Sequence, residues 1–309
     1  MPLVDVNLAN LRYHDNSVVY HADDGVLEVC TPNAFTKVCG HIRYGQPNSP
    51  MFFRGQSELF PSLAPTGARG TNGILHQNGI QRHRQAIGEL IVELDRENAW
   101  VGNVPDFAKE PLLQHYGIKT LWLDAVDNPW VALWFSIHRF VGHGLHGRYW
   151  HFEPRDPFAF VDHRVRGEGR YLGHGGTRTV SQYLPEYAYI LIVTIGPCSP
   201  DVNRPGMYVS ESGEMIDLRR SVPSTYLRPH AQHGLLFKQS LPPHQDHNYA
   251  ECVCARLKVK VELAMRWIGQ GQFTDLHSVF PPAVHDDGYQ KLIERCRHGS
   301  ETLGTIGIL

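Results

Sequence analysis

Apolar and polar positions follow two different periods along this chain. Residues 17–31 alternate around an Asp-Asp-Gly turn, and residues 255–264 alternate again, as half-buried strands do. Residues 187–196 form an unbroken apolar run rich in β-branched side chains and end in Gly-Pro. Such a run is typical of a strand buried on both faces, so we expect it near the centre of a sheet.

Helical spacing of three and four residues separates these strands. It predicts helices over residues 76–100 and 288–298. A further helix is expected to end at Gly117, and another to begin near Asn128-Pro129 with Asp127 or Asn128 as its N-cap. Further strands are predicted at three places, residues 121–123, 148–161 and 234–239. The pattern predicts an α/β (α+β) fold over residues 1–309, with a mixed central sheet flanked by helices in a single domain.

Composition narrows the class of protein. Of 309 residues, 42% are hydrophobic and 19% are charged, which is enough apolar surface for a folded core. A net charge of -2 supplies no overall attraction to nucleic acid or to an anionic membrane. No apolar run approaches the roughly 20 residues of a membrane helix, and the first residues do not resemble a leader. We therefore expect a cytoplasmic protein whose six dispersed cysteines are reduced thiols.

Two local clusters leave alternatives open. A His-X-X-His and Cys-X-Cys group at His244, His247, Cys252 and Cys254 is compatible with zinc, but Cys-X-Cys is the less typical spacing, so we expect no metal. Residues 162–186 are rich in glycine and basic side chains, which predicts a mobile, solvated loop. As an alternative to a purely solvated loop, its basic side chains could bind a phosphate-bearing partner, including nucleic acid. Motifs of common hydrolases, kinases and dehydrogenases are absent from the sequence.

Four segments, in order, carry a family resemblance: residues 51–65, 112–136, 228–237 and 275–293. They resemble the FRG family, named for a Phe-Arg-Gly signature that is Phe53-Arg54-Gly55 here. The matching positions are Arg54, Gly55, Gln56, Gln114, His115, Tyr116, Gly117, Leu123, Asp124, Asn128, Pro129, Ala132 and Leu133. The resemblance spans about residues 50–290. It departs from the family at Leu121, because the usual arginine of the Thr-Arg-Leu-Leu-Asp-Trp segment is missing.

The order of these segments is also similar to the layout of ADP-ribosyltransferases, which implies an NAD site. An NAD site needs a cation for the pyrophosphate, an aromatic wall for nicotinamide and a carboxylate beside the ribose. The resemblance implies catalytic roles for Arg54, Asp124 and Gln232. It implies cofactor contacts by Arg54, Gln56, His115, Tyr116, Trp130 and Phe237.

The expected catalytic glutamate is replaced in this chain. Transferases usually have it before the later strand, where Gln232 leads into Gly234 and Leu235. Asp124 is the candidate substitute. Two functions therefore stay open: an enzyme that transfers ADP-ribose to a protein or phosphate-bearing acceptor or cleaves NAD, and a non-catalytic recognition module in stress response or phage defence.

The same residues have structural alternatives. Arg54 and Asp124 are expected to tie two strand ends together if neither binds a ligand, because a buried arginine requires a hydrogen-bonded partner. His115 and Tyr116 at a helix end are compatible with simple capping and packing. Asn128 and Pro129 are more typical of a helix start than of a ligand contact.

Overall fold

A computed structural model describes most of the chain. It covers residues 16–70, 73–155, 186–242, 245–269, 274–296 and 299–309, positions 3, 6, 8 and 11, and two short strands at 170–171 and 178–179. Apart from those strands and residue 186, the predicted mobile loop of residues 162–186 lies outside the described residues.

Strands and helices are interspersed through this described part. The strands are β1 (Val18–His21), β2 (Val26–Val29), β3 (Phe52–Gln56), β4 (Arg69–Gly70), β5 (Gly73–Ile74), β6 (Leu123–Val126), β7 (His138–His143), β8 (Tyr149–Pro154), β9 (Arg170–Tyr171), β10 (Arg178–Thr179), β11 (Tyr187–Val193), β12 (Ser199–Pro200), β13 (Met207–Val209), β14 (Gly213–Asp217), β15 (Gly234–Gln239) and β16 (Val253–Lys260). The α-helices are α1 (Pro32–Tyr44), α2 (Gln77–Arg96), α3 (Asp106–His115), α4 (Pro129–Ile137), α5 (Leu218–Ser221), α6 (Leu227–Ala231), α7 (Val261–Ile268), α8 (Leu276–Val279) and α9 (Asp287–Arg295).

Ten strands form one mixed sheet in the order β1-β2-β16-β11-β3-β6-β15-β14-β13-β12. Strand β16 runs parallel to β2, whereas the other neighbours in this sheet are antiparallel. The predicted α/β class with a mixed central sheet is confirmed. Strand β11 lies between β16 and β3, well inside the sheet, as its continuous apolar run predicts. In the described part of the chain, no helix has the length and apolar character needed to cross a membrane.

Most element positions agree with the sequence pattern, and the exceptions have local causes. Asn128 caps α4 by accepting a hydrogen bond from the backbone of Trp130 at 2.9 Å. Residues 261–264 were expected to continue a strand, but they begin α7, because Val261 and Ala264 also fit a helical face and both are buried. Helix α1 was not predicted, although its cap Thr31 and first residue Pro32 are a typical helix start.

The two faces of the sheet are covered differently. Strand β3 turns Phe53 and Gly55 toward α4, and Phe53 belongs to the large core that α1, α4 and α7 complete. Its alternate residues Phe52, Arg54 and Gln56 point to the opposite face, where Phe52 joins a smaller core. We call this opposite side the Arg54 face. The candidate site therefore lies on the side of β3 away from α4.

Helix α4 crosses β3 at Gly55 with almost no space between the backbones. A Cβ atom at position 55 would lie 1.9 Å from the carbonyl oxygen of Ala132 and 2.9 Å from the amide nitrogen of Ser136. These obstructing atoms belong to the backbone of α4, so no side-chain rotation relieves the overlap. The glycine of the Phe-Arg-Gly signature is required here by contact and not by an unusual backbone angle.

The substitution Gly55→Ala is expected to lower the free energy of unfolding by about 2 kcal/mol or more, because α4 must move away from the sheet. Urea denaturation measures the change. The matched control is Gly40→Ala on the exposed side of α1, where a new Cβ meets no atom within 4 Å. The control is expected to stabilise by about 0.5–1 kcal/mol. Equal behaviour of the two variants would contradict the close contact.

Candidate functional site

The Arg54 side chain lies at the weakest seam of the main sheet. Strand β3 pairs with β11 along five residues but with β6 through the single pair Phe53 and Val126. Past that pair, an Nη1 atom of Arg54 donates a hydrogen bond of 2.6 Å to the backbone carbonyl of Asp124. The guanidinium therefore ties the two strands together where their backbone pairing stops, although Arg54 is the middle residue of β3 and not its end. The contact uses the peptide of Asp124 and not its carboxylate.

Most of the hydrogen-bonding capacity of Arg54 is unused. Its Nε atom is buried without a partner, and the side chain forms no ion pair among the described residues. Burial lowers the pKa of Arg54; the charge of Asp124 opposes this shift, and Arg69 adds to it. Arg69 itself donates from Nε and Nη2 to the carbonyl of Ala64, at 3.0 and 2.8 Å. Arg54 and Arg69 thus lie close enough to repel each other, and each uses a single backbone carbonyl as its hydrogen-bond acceptor.

The carboxylate of Asp124 points to the opposite side of β6. Its neighbours Leu123 and Ala125 lie in the core of the Arg54 face, so Asp124 is directed toward α3. There Oδ2 accepts a hydrogen bond from Nε2 of Gln114 at 3.0 Å. The same amide accepts from the backbone and the hydroxyl of Thr120, at 3.1 and 2.8 Å. Gln114, which the site prediction omitted, fixes both Asp124 and the segment that leads into β6.

His115 and Gln232 form a buried pair. The Nδ1 atom of His115 is 3.1 Å from Oε1 of Gln232, and the side chains are 6% and 5% exposed. Nε2 of each residue is buried without a hydrogen-bond partner in the described part of the chain. Burial lowers the pKa of His115, and the charge of Arg228 adds to the shift, whereas Asp124 and the bond to Gln232 oppose it. The structure thus brings these two predicted residues together, but inside the protein.

Tyr116 is a core residue in this structure. It is fully buried, and its hydroxyl donates to Oδ2 of Asp286 at 2.8 Å. Its ring stacks on Tyr289 at 5.1 Å, and the guanidinium of Arg228 lies 4.6 Å from the ring centre. Asp286 also accepts from three backbone amides, at the start of α6 and in α9. The expected aromatic wall for nicotinamide is therefore not formed by an open face of Tyr116.

The other predicted contacts are divided between the two sides of the sheet. Trp130 packs edge-on against Phe35 at 5.1 Å, on the side of α4. Phe237 is buried in the core of the Arg54 face. Gln56 borders a small cavity on that same face. Of the predicted residues, Arg54, Gln56 and Phe237 share one face, whereas the remaining side chains point elsewhere.

Sequence analysis also did not single out a partly buried carboxylate on α3. Glu110 lies one helical turn before Gln114 on α3, and burial raises its pKa, while Lys238 opposes the shift. It hydrogen-bonds to the backbone of Leu121 and the indole of Trp122. An acidic residue within a helix carries no sequence signal of burial, which is why the pattern could not reveal it.

The predicted metal alternative gains no geometric support. His244 lies outside the described residues, and the described residues contain no group of three or more His, Cys, Asp or Glu side chains placed to hold a metal ion. Burial raises the pKa of Cys252 and of Cys254 to about 12 each, so both thiols are protonated near neutral pH.

Residues 49–141 match the FRG domain family. The chain contains an FRG domain. The FRG domain runs from just before β3 into β7 and includes Arg54, Gln114 and Asp124, whereas Gln232 lies outside it. No curated protein and no solved structure matches the chain.

The core position of Tyr116 predicts a purely structural effect of Tyr116→Phe. Loss of the hydroxyl removes one donor from Asp286 and is expected to lower the free energy of unfolding by about 1–2 kcal/mol. Urea denaturation measures it, with Tyr44→Phe as the control, because Tyr44 is 88% exposed. An unchanged stability in Tyr116→Phe would show that its hydroxyl does not support Asp286.

The lowered pKa of His115 predicts acid sensitivity. The folded protein keeps His115 neutral, whereas the unfolded chain binds a proton near pH 6.5, so this contribution to stability is present above pH 6.5 and is lost as pH falls below it. In His115→Gln, unfolding no longer takes up a proton at this position. The slope of the unfolding free energy against pH between about 6.5 and 5 should therefore decrease by up to about 1.4 kcal/mol per pH unit, the value for one proton. A slope equal to that of the parent protein would contradict the neutral state.

Proposed function

We propose that the FRG domain binds NAD or a related nucleotide, with the guanidinium of Arg54 contacting the pyrophosphate. The observation that carries the proposal is the state of Arg54 at the seam between β3 and β6. It is partly exposed, spends one donor on the Asp124 carbonyl, and has no carboxylate partner among the described residues. A guanidinium with free donors is a good ligand for phosphate oxygens, because it can bind two of them at once.

The surroundings support an anionic ligand. Arg69 adds a second positive charge close enough to affect the pKa of Arg54, and Asp124 turns its carboxylate to the other side of β6. The charge of Asp124 still reaches both arginines, so a ligand phosphate at Arg54 would bind beside two positive charges and one negative charge. It would also relieve the two arginines of their mutual repulsion.

The reaction proposed for this site is ADP-ribosyl transfer or NAD cleavage in the cytoplasm. Both break the bond between nicotinamide and ribose, and both need a negative group beside the ribose as positive charge develops there. Asp124 is the candidate within the FRG domain. To serve, its carboxylate would have to exchange the hydrogen bond from Gln114 for a position near the ligand.

A second function, a recognition module without catalysis, is favoured by a specific observation. The residue at the position of the expected glutamate is Gln232, whose amide is buried and bonded to His115. Such a group neither carries charge nor faces the surface on which Arg54 lies. A domain of this kind would bind its nucleotide and pass the signal on in stress response or phage defence without cleaving it.

The test is nucleotide binding by the full chain, measured by isothermal titration well below the melting temperature, with NAD, ADP-ribose and nicotinamide as separate ligands. NAD and ADP-ribose are expected to bind, and Arg54→Lys is expected to weaken both about tenfold or more, because lysine keeps the charge but loses the planar fork. The control is Arg96→Ala, an exposed position on α2. Absence of binding to the parent protein, or equal binding by Arg54→Lys, would overturn the proposal.

Release of nicotinamide from NAD then separates the two functions. An enzyme releases it, and Asp124→Asn slows the release while leaving the binding of ADP-ribose largely unchanged. A recognition module binds NAD and leaves it intact over long incubation.

A further inference from the structure

A second arginine lies in register with Arg54 on the same face of the sheet. Leu191 of β11 pairs with Arg54 on one side and with Arg256 of β16 on the other. Residues directly opposite one another on neighbouring strands point to the same side, so all three belong to the Arg54 face. Two strand spacings separate the arginines, which places their Cα atoms about 10 Å apart. An apolar residue, Leu191, lies between them.

A small cavity lies beside Arg256. Its volume is about 70 Å³, and its lining includes Gln56, Phe60, Ser62, Leu191 and Arg256. A benzene ring occupies a cavity of about 150 Å³, so this one is too small for a base or a nicotinamide ring. It is large enough for a compact group of a few atoms.

The polar groups at this cavity are unpaired. Gln56 is 7% exposed, yet its side-chain amide has no hydrogen-bond partner in the described part of the chain. Arg256 has neither a hydrogen bond nor an ion pair there. Ser62 also lines the cavity, so three of its otherwise mostly apolar lining residues carry a side-chain hydrogen-bond donor. The amide atoms of Gln56 are not among the fully buried polar atoms of the described residues, so they are accessible and can exchange water for a ligand oxygen.

From this arrangement we infer that the cavity holds a terminal phosphate of the nucleotide, separate from the pyrophosphate at Arg54. The inference rests on the proposed binding of a nucleotide through Arg54. A phosphate monoester offers three acceptor oxygens and nearly two negative charges, which suits a guanidinium, an amide and a hydroxyl. The spacing of about 10 Å between the arginines separates two distinct anionic groups. The substrate class is therefore a dinucleotide with an additional phosphate, of which NADP is the simplest example.

The test compares NAD, NADP and nicotinic acid adenine dinucleotide on the full chain by isothermal titration. The parent protein is expected to bind NADP at least about tenfold more tightly than NAD. Arg256→Gln should abolish that preference and leave the affinity for NAD within about twofold of the parent value. Gln56→Leu, which removes the unpaired amide but keeps a side chain of similar size, should reduce the preference in the same direction. Arg96→Ala serves as the control, and the melting temperature of each variant verifies folding.

The possible outcomes separate the two proposals. Binding of NAD and NADP with equal affinity, unaffected by Arg256→Gln, overturns the phosphate site and leaves the role of Arg54 intact. Preference for the nicotinic acid form over NADP also overturns it, because the cavity would then take a carboxylate. Absence of binding by all three ligands defeats the proposed function itself.

Discussion

The near contact between Gly55 and α4 is the constraint on which the arrangement of the site depends. Because the helix backbone lies directly on β3 at this residue, one side of the strand is closed to any ligand. The side chains of Arg54 and Gln56, on either side of Gly55 in sequence, are thereby directed to the other side. A signature of three residues therefore contains an apolar core residue, a cation that joins β3 to β6, and a point of backbone contact with α4.

The separation of the two faces also explains the mixed character of the predicted site. On the α3 side, two hydrogen-bonded pairs hold α3 to its neighbours. Gln114 joins α3 to Asp124 of β6, and His115 joins α3 to Gln232 just before β15. On the Arg54 face, Arg54 and Arg256 have no carboxylate partner among the described residues. The first group stabilises the packing of α3 against the sheet, and the second is the group on which the proposed nucleotide binding rests.

Sequence patterns predicted helices and strands well where a segment showed a single clear pattern of apolar residues or a typical cap. The apolar run of β11, the segment of β15 and the Asn128 cap of α4 lie as expected, because each has a signal contained in a few neighbouring residues. The division of the site could not be predicted, because it depends on the side to which each residue of β3 and β6 points and on strand neighbours far away in sequence. Arg256 shows this most clearly: nothing near residue 256 indicates that it lies in one row with Arg54.

The strand order has a consequence for the limits of the FRG domain. The matched residues supply the adjacent strands β3 and β6, but the outer neighbours of this pair are β11 and β15, which come from beyond residue 141. A fragment cut at the limits of the match would leave both strands with open edges and would expose the apolar residues that β11 and β15 cover. A fragment that keeps β3 and β6 paired on both edges must therefore extend at least through β15, well beyond the matched residues.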